Sequence, residues 1–309
     1  MTEDSGHEVR RTWGIVGGAA MLAVALWAPS ARANNILLAC GDYCTTSCGS
    51  SPPPGCHEAS SNRCELGPDL SCPSGPALRV EGGVNLDLHG ASVTCSTPTG
   101  CAGEAIAVTS ASSKVYNTLQ LQSVIAGPWS FGVNCNGQTT TEVDGITIHD
   151  ALWGVYRCAR VHHSFIGRPS LFYYGANIGV YTDTYSNSDY INDNYFQDRT
   201  FPIQLGSGNK GINIERNVIE TTVGTSPVSY GAAAAVYFAS AASPAIVRHN
   251  VVLGNGSTIF GAPFPVIFYA PGPLTAATFE NNVCSRSHPD CGSCQAQGYC
   301  MTPRSPFTL

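Results

Sequence analysis

The sequence predicts an all-β solenoid, short strands stacked turn upon turn, and three observations predict it. An apolar–x–x–Asn–Val phrase returns in NIERNVIE (213–220), IVRHNVVL (246–253) and TFENNVCS (278–285). A second phrase, a small or apolar residue, a β-branched one and usually an aromatic, recurs as FGVN (131–134), WGVY (153–156), IGVY (178–181), PIQL (202–205), AAVYF (234–238) and PVIFY (265–269). Only 12% of the 309 residues are charged, while 33 Gly and 20 Pro cut the chain into short pieces. That composition lacks the Lys and Glu that the outer faces of long helices require.

Residues 1–33 read as an export signal. Arg10 and Arg11 supply a positive start, residues 14–28 are an apolar run, and Ala31-Arg32-Ala33 fits a small-x-small cleavage site. The run is shorter than the roughly 20 residues of a membrane span, which favours a removed signal over an anchor. The arginine pair leaves the general and the folded-protein export routes both open. Leu37-Leu38-Ala39-Cys40 offers lipidation as an alternative, and the polar PSARANN before it disfavours that reading. Removal takes three of the 15 basic and three of the 21 acidic residues, so the net charge stays at −6. With two lysines, Lys114 and Lys210, no basic patch forms and nucleic acid is excluded as a partner. The expected location is secreted, periplasmic or cell-surface, with no transmembrane segment after signal removal.

Residues 34–75 are rich in cysteine, and all 14 cysteines follow the cleavage site. An even number in an exported chain favours disulfides. The alternative is zinc, for which Cys291-x-x-Cys294 has ligand spacing. A solenoid leaves strand edges open at both ends, so 34–75 and the tail 286–309 read as caps.

Residues 76–285 carry the repeat. Val180 and Tyr195, Ile203 and Val218, and Val236 and Val251 are each 15 residues apart, and Ile267 and Val283 are 16 apart. Val133, Val155, Val180, Ile203, Val236 and Ile267 mark units of unequal length. A fixed internal interval with variable length between units places insertions in one connection, which is solenoid behaviour. Each phrase is too short for a helix and rich in Val, Ile, Tyr and Phe, hence a strand. Asn194, Asn217, Asn250 and Asn282 occupy one slot of successive units, with Ser164 in the shorter unit before them. At strand spacing their amides reach one another, and Asn also tolerates the left-handed backbone of a sharp corner. Cys135 lies two residues past Val133 and Cys158 three past Val155, within disulfide reach on adjacent turns despite the one-residue mismatch.

With these phrases, and with the Leu86-Asp87-Leu88-x-Gly90 turn in 66–95, the chain resembles the right-handed parallel β-helices of the pectin-lyase-like superfamily, in the style of exported bacterial repeat proteins. The resemblance implies about eight turns, a rod of roughly 40 Å. It implies no single activity, because the superfamily holds lyases, hydrolases, esterases, epimerases and proteins without a known reaction.

Two faces carry candidate chemistry. If each marker points inward, the next residue points outward, giving Asn134, Tyr156, Tyr181, Gln204, Tyr237 and Phe268. Aromatic faces and amides suit a neutral or weakly acidic glycan, and cross-strand packing is the competing explanation. Tyr173, Tyr174, Tyr185 and Tyr190 in nearby connections tilt the balance toward binding. Asp183 joins the strip beside Tyr181. One carboxylate is not the pair that glycoside hydrolysis needs. The second face lies just before the Asn slot, with His163, Asp193, Arg216, His249 and Asn281, and one step earlier His162, Asn192, Glu215, Arg248 and Glu280. Asp193, Arg216, His163 and His249 are the candidate catalytic set for proton abstraction beside a uronate carboxylate. Stacked opposite charges finishing a solenoid surface explain the same residues. Asp183, Asp189 and Asp193, with Asp198 in the same acid-rich unit, could hold calcium, although no calcium-loop motif stands behind them, and no cofactor is expected. Two functions follow: a non-catalytic binder of a polysaccharide or cell-envelope polymer, or a lyase or epimerase acting on a uronate polymer. The missing carboxylate pair favours the first.

Overall fold

A computed structural model describes residues 38–119, 123–167, 177–183, 190–197, 200–209, 211–221, 234–254, 266–288 and 290–301. The signal-like segment, and Tyr173, Tyr174, Tyr185, Asp189 and Asp198, lie outside them.

Each turn lays one strand into each of three parallel sheets, of 10, 9 and 9 strands among the described residues. The first sheet holds the marker phrases, among them Trp129–Asn134, Trp153–Tyr156, Ile178–Thr182, Phe201–Leu205 and Ala234–Phe238. The second runs through Lys114–Tyr116, Glu142–Asp144, Arg160–His162, Tyr190–Asn192, Ile212–Glu215 and Ala245–Arg248. The third follows the corner, as in Phe165–Ile166, Tyr195–Gln197 and Val218–Thr221. Parallel strands need a long crossover, and here the other two sheets provide it. The chain is a parallel β-helix solenoid.

The interior is a set of apolar files. Val133, Val155, Val180, Ile203 and Val236 line the first sheet, Val115, Val143, Val161, Ile191 and Ile214 the second, and Ile125, Ile148, Ile166, Phe196 and Ile219 the third, all at 0–1% exposure. Each contributes about 1.5–3 kcal/mol by leaving water. The glycine before the marker answers a close approach. A Cβ on Gly154 would meet the Gly179 carbonyl at 2.6 Å, and one on Gly179 the Pro202 carbonyl at 2.3 Å.

The cysteine-rich segment itself forms the first turn. Asp42–Thr45, Arg63–Glu65 and Leu70–Cys72 pair in parallel with Leu78–Val80, Asn85–Asp87 and Val93–Cys95. Cys44 and Cys64, at most 1% exposed, stand where the next turns place Val80 and Val108, and Leu86 and Val115. The extra strand Cys56–Glu58 flanks Asp42–Thr45 at the outer edge.

All fourteen cysteines are joined, as 40–72, 44–64, 48–56, 95–101, 135–158, 284–291 and 294–300, which places the protein in an oxidising compartment. The zinc-spaced pair Cys291 and Cys294 is thereby used up in two bridges. Between Cys135 and Cys158 the one-residue mismatch is absorbed by Arg157, which takes a left-handed φ of 54°. At the other end the last turn is closed by the short helix Cys291–Ala296, by Asp290 accepting from the Ile267 N–H (2.9 Å), and by a parallel bridge between Val283 and Met301. Among the described residues no helix is long and apolar enough to cross a membrane.

Four buried asparagines form a continuous column at the corner between the second and third sheets. The Nδ2 of Asn194, Asn217 and Asn250 donates to the Oδ1 of the next member at 3.1, 3.0 and 2.9 Å. Each Oδ1 also accepts from the backbone N–H of the preceding member, and Asn194 Oδ1 from that of Ser164. The left-handed residue of the corner is not the asparagine. It is the residue before it: His163 (φ 49°), Asp193 (57°), Arg216 (52°), His249 (56°) and Asn281 (52°). Kinking there turns the Asn side chain inward, onto its neighbours, and throws the preceding side chain outward.

Candidate functional site

The first sheet corrects one outward position. Phe268 pairs with the inward Val236, and Tyr269 pairs with Tyr237. Phe268 packs on Phe279 and Tyr299 inside the last turn (centroids 4.8 and 6.0 Å), so it lies outside the strip. The 15-residue interval carried the signal, because it links Phe268, not Ile267, to Val283.

Tyr156, Tyr181, Gln204 and Tyr237 are in register on this sheet. Tyr156 and Tyr181 stack at 5.2 Å and 9°, and Tyr237 and Tyr269 at 5.2 Å and 11°. Rings stacked on one another spend their faces on their neighbours, leaving edges and hydroxyls for a ligand. Asp183 is 5% exposed and held by Arg157 (2.6 Å), whose guanidinium lies 4.9 Å from the Tyr156 ring centre. Asp183 is thus engaged in an ion pair with the half-buried Arg157.

The second sheet holds the larger polar constellation. Its sequence signal is an apolar residue between two polar ones, in KVY (114–116), EVD (142–144), RVH (160–162) and YIN (190–192). The middle residue points in and the outer two point out. Pairing aligns Lys114 with Glu142 and Arg160, and Asp144 with His162 and Asn192. Lys114 Nζ donates to Glu142 (2.6 Å) and to Asp144 Oδ2 (2.7 Å). His162 lies between the same two acids, Nε2 at 3.0 Å from Glu142 Oε1 and Nδ1 at 3.2 Å from Asp144 Oδ1. His163 Nδ1 is also 3.2 Å from Asp144 Oδ1, and 2.9 Å from His162 Nδ1.

The charges follow from this contact set. Burial works to lower the His162 pKa, but its bonds to Asp144 and Glu142 prevail and push it up to about 9. The bond from His162, then that from Lys114, hold Glu142 down to about 2 against burial. Asp144 is held below the usual carboxylate range, its bonds from His162 and Lys114 outweighing burial. Without a bound cation, His162 is therefore a clamped imidazolium and no general base at neutral pH.

A cleft of about 500 Å³ opens beside this cluster, lined by Glu142, Arg160, His162, His163, Tyr190, Asn192, Glu215 and Arg216. Of the four catalytic candidates, the structure brings His163, Asp193 and Arg216 together here. Arg216 grips Asp193 with two 2.7 Å hydrogen bonds and reaches Glu215 at 3.1 Å. That grip holds Asp193 below its ordinary pKa. His249 sits one turn further on, exposed and outside the cleft lining. Tyr190 is 42% exposed at the cleft, with the Arg160 guanidinium 6.0 Å from its ring centre. Lys114, Glu142, Asp144, Arg160 and Tyr190 are members of this constellation that the Asn phrase does not mark, since the first three precede its first occurrence. No protein-family model matches the chain, and no curated protein or solved structure is detectably similar to it.

Proposed function

We propose that this chain is an exported β-helix protein that binds a polysaccharide or cell-envelope polymer without transforming it. The reading rests on one observation: the cleft on the second sheet presents an exposed tyrosine, Tyr190, among the hydrogen-bonding groups of Arg160, Asn192, His163 and Arg216. An aromatic ring takes the apolar face of a sugar, and guanidinium and amide groups take its hydroxyls and occasional carboxylates. The export signal read in residues 1–33 and the seven disulfides agree with a partner outside the cytoplasm. The three-sheet turn is the geometry expected of the pectin-lyase-like superfamily that the sequence resembles. The ion-paired state of Asp193, Arg216 and His162 favours binding over proton abstraction.

Affinity electrophoresis against a panel of neutral and uronate polysaccharides tests this. Tyr190→Ala is expected to abolish retardation that Tyr237→Ala, on the first-sheet strip, leaves intact. Retention by no polymer, or equal loss in both variants, would refute the cleft as the binding surface. An unsaturated or epimerised product from a uronate polymer, lost in Asp193→Asn, would replace the binder with the lyase or epimerase.

A further inference from the structure

Asp144, His162 and His163 bring three donor atoms to one point on the rim of the cleft. The three separations, 3.2, 3.2 and 2.9 Å, make a nearly equilateral triangle. An ion at the usual zinc bond lengths of about 2.0–2.1 Å would sit about 1 Å above its plane, with angles at the metal of roughly 90–105°. Those are angles of one face of a tetrahedral or octahedral site. We propose that Asp144 Oδ1, His162 Nδ1 and His163 Nδ1 bind a divalent transition metal ion such as zinc or cobalt.

The groups behind the triangle are those that a metal site requires. His162 presents Nε2–H to Glu142 Oε1 at 3.0 Å, which fixes the ring, and the ion takes the place of the Nδ1 proton that otherwise bonds Asp144 Oδ1, releasing it to solvent. Lys114 holds the other oxygen of Asp144, Oδ2, at 2.7 Å, so the carboxylate cannot rotate Oδ1 away. His163 is placed by its left-handed backbone, and its side chain is 62% exposed, leaving the outer face of the triangle open to water or a ligand from the cleft. Two imidazole nitrogens and one oxygen select a borderline metal and disfavour calcium, which takes six to eight oxygens.

A comparison within the same sheet shows what a filled counterpart looks like. Glu65, Asp87 and His89 also approach one another, but Arg63 donates to both carboxylates and so supplies the cation itself. Lys114 likewise bridges two carboxylates, but one of them, Glu142, is outside the triangle, and at Asp144 it takes Oδ2 and leaves Oδ1 facing the two imidazoles.

Tag-free protein titrated with Zn2+ in a calorimeter, and with Co2+ followed by visible d–d absorption, tests the site without any polymer. It therefore stands or falls apart from the binding function. One ion per chain is expected, with affinity falling about tenfold or more in His163→Gln and in Asp144→Asn. His249→Gln, the exposed corner histidine three turns on, is expected to bind as the wild type does. His163→Gln alters an exposed side chain, and an unchanged thermal melt establishes its fold. Absence of stoichiometric binding, or binding that His163→Gln leaves unchanged, overturns the assignment.

Discussion

Replacing Asn217 by alanine removes the middle of the buried amide column. Asn217 is 0% exposed. Its Nδ2 donates to the Ile191 carbonyl at 2.8 Å and to Asn250 Oδ1 at 3.0 Å, and its Oδ1 accepts from the N–H and the Nδ2 of Asn194, both at 3.1 Å. Four bonds at a net ~1 kcal/mol each, with the Asn194 amide left facing a void, amount to a loss of about 4 kcal/mol. Against a typical stability of about 5–15 kcal/mol that is a large fraction. Solenoid turns stabilise one another only through neighbours, so the break also separates the turns on either side. Guanidinium unfolding with intact disulfides, followed by far-UV circular dichroism, measures it. Ile246→Ala on the adjacent strand, exposed at 41%, is the reference and is expected to lose under ~1 kcal/mol. If Asn217→Ala costs no more than Ile246→Ala, the column is not a source of stability.

Three further outcomes are expected. In chelator-treated protein, the raised His162 contributes stability that is complete below about pH 6.5 and is lost as pH rises through about 9. The depressed Glu142 contributes stability that is complete above about 4.5 and is lost as pH falls toward about 2. The melting temperature therefore peaks between these limits, and a His162→Gln variant with an unchanged alkaline limb would contradict the assignment. Gly179→Ala, whose new Cβ meets backbone at 2.3 Å, is expected to destabilise by about 1–3 kcal/mol, whereas Gly292→Ala, with open space in the short helix, is neutral or stabilising in the same thermal melt. Opening the Cys135–Cys158 bridge by paired serine substitution frees a loop of 23 residues and is expected to cost about 3 kcal/mol in denaturant unfolding; a difference below about 1 kcal/mol counts against it.

What was legible in the sequence is what repeats at constant spacing. The 15-residue interval between the first-sheet markers and the third-sheet strands fixes two of the three faces, and the Asn slot fixes the corner, because both recur unit after unit. Where the pattern slips by one residue, the reading slips with it. Choosing Ile267 as the marker turned Phe268 outward, although the buried aromatic cluster with Phe279 and Tyr299 claims it. Cysteine in the place of an aliphatic residue hid the strands within 34–75, since Cys44 and Cys64 fill the interior as small apolar groups while bridged to each other.

The sequence alone determined the stacked-strand solenoid, its dry files and its asparagine column, because a strand's alternation and a column's recurrence are local and periodic. Tertiary structure alone decided the constellation of Lys114, Glu142, Asp144, His162 and His163. Lys114 precedes Glu142 by 28 residues and Asp144 precedes His162 by 18, so no fixed period announces that they meet. Only the unequal connections, by setting which rung lies against which, bring these five side chains within hydrogen-bond distance and give His162 and its carboxylates their charge.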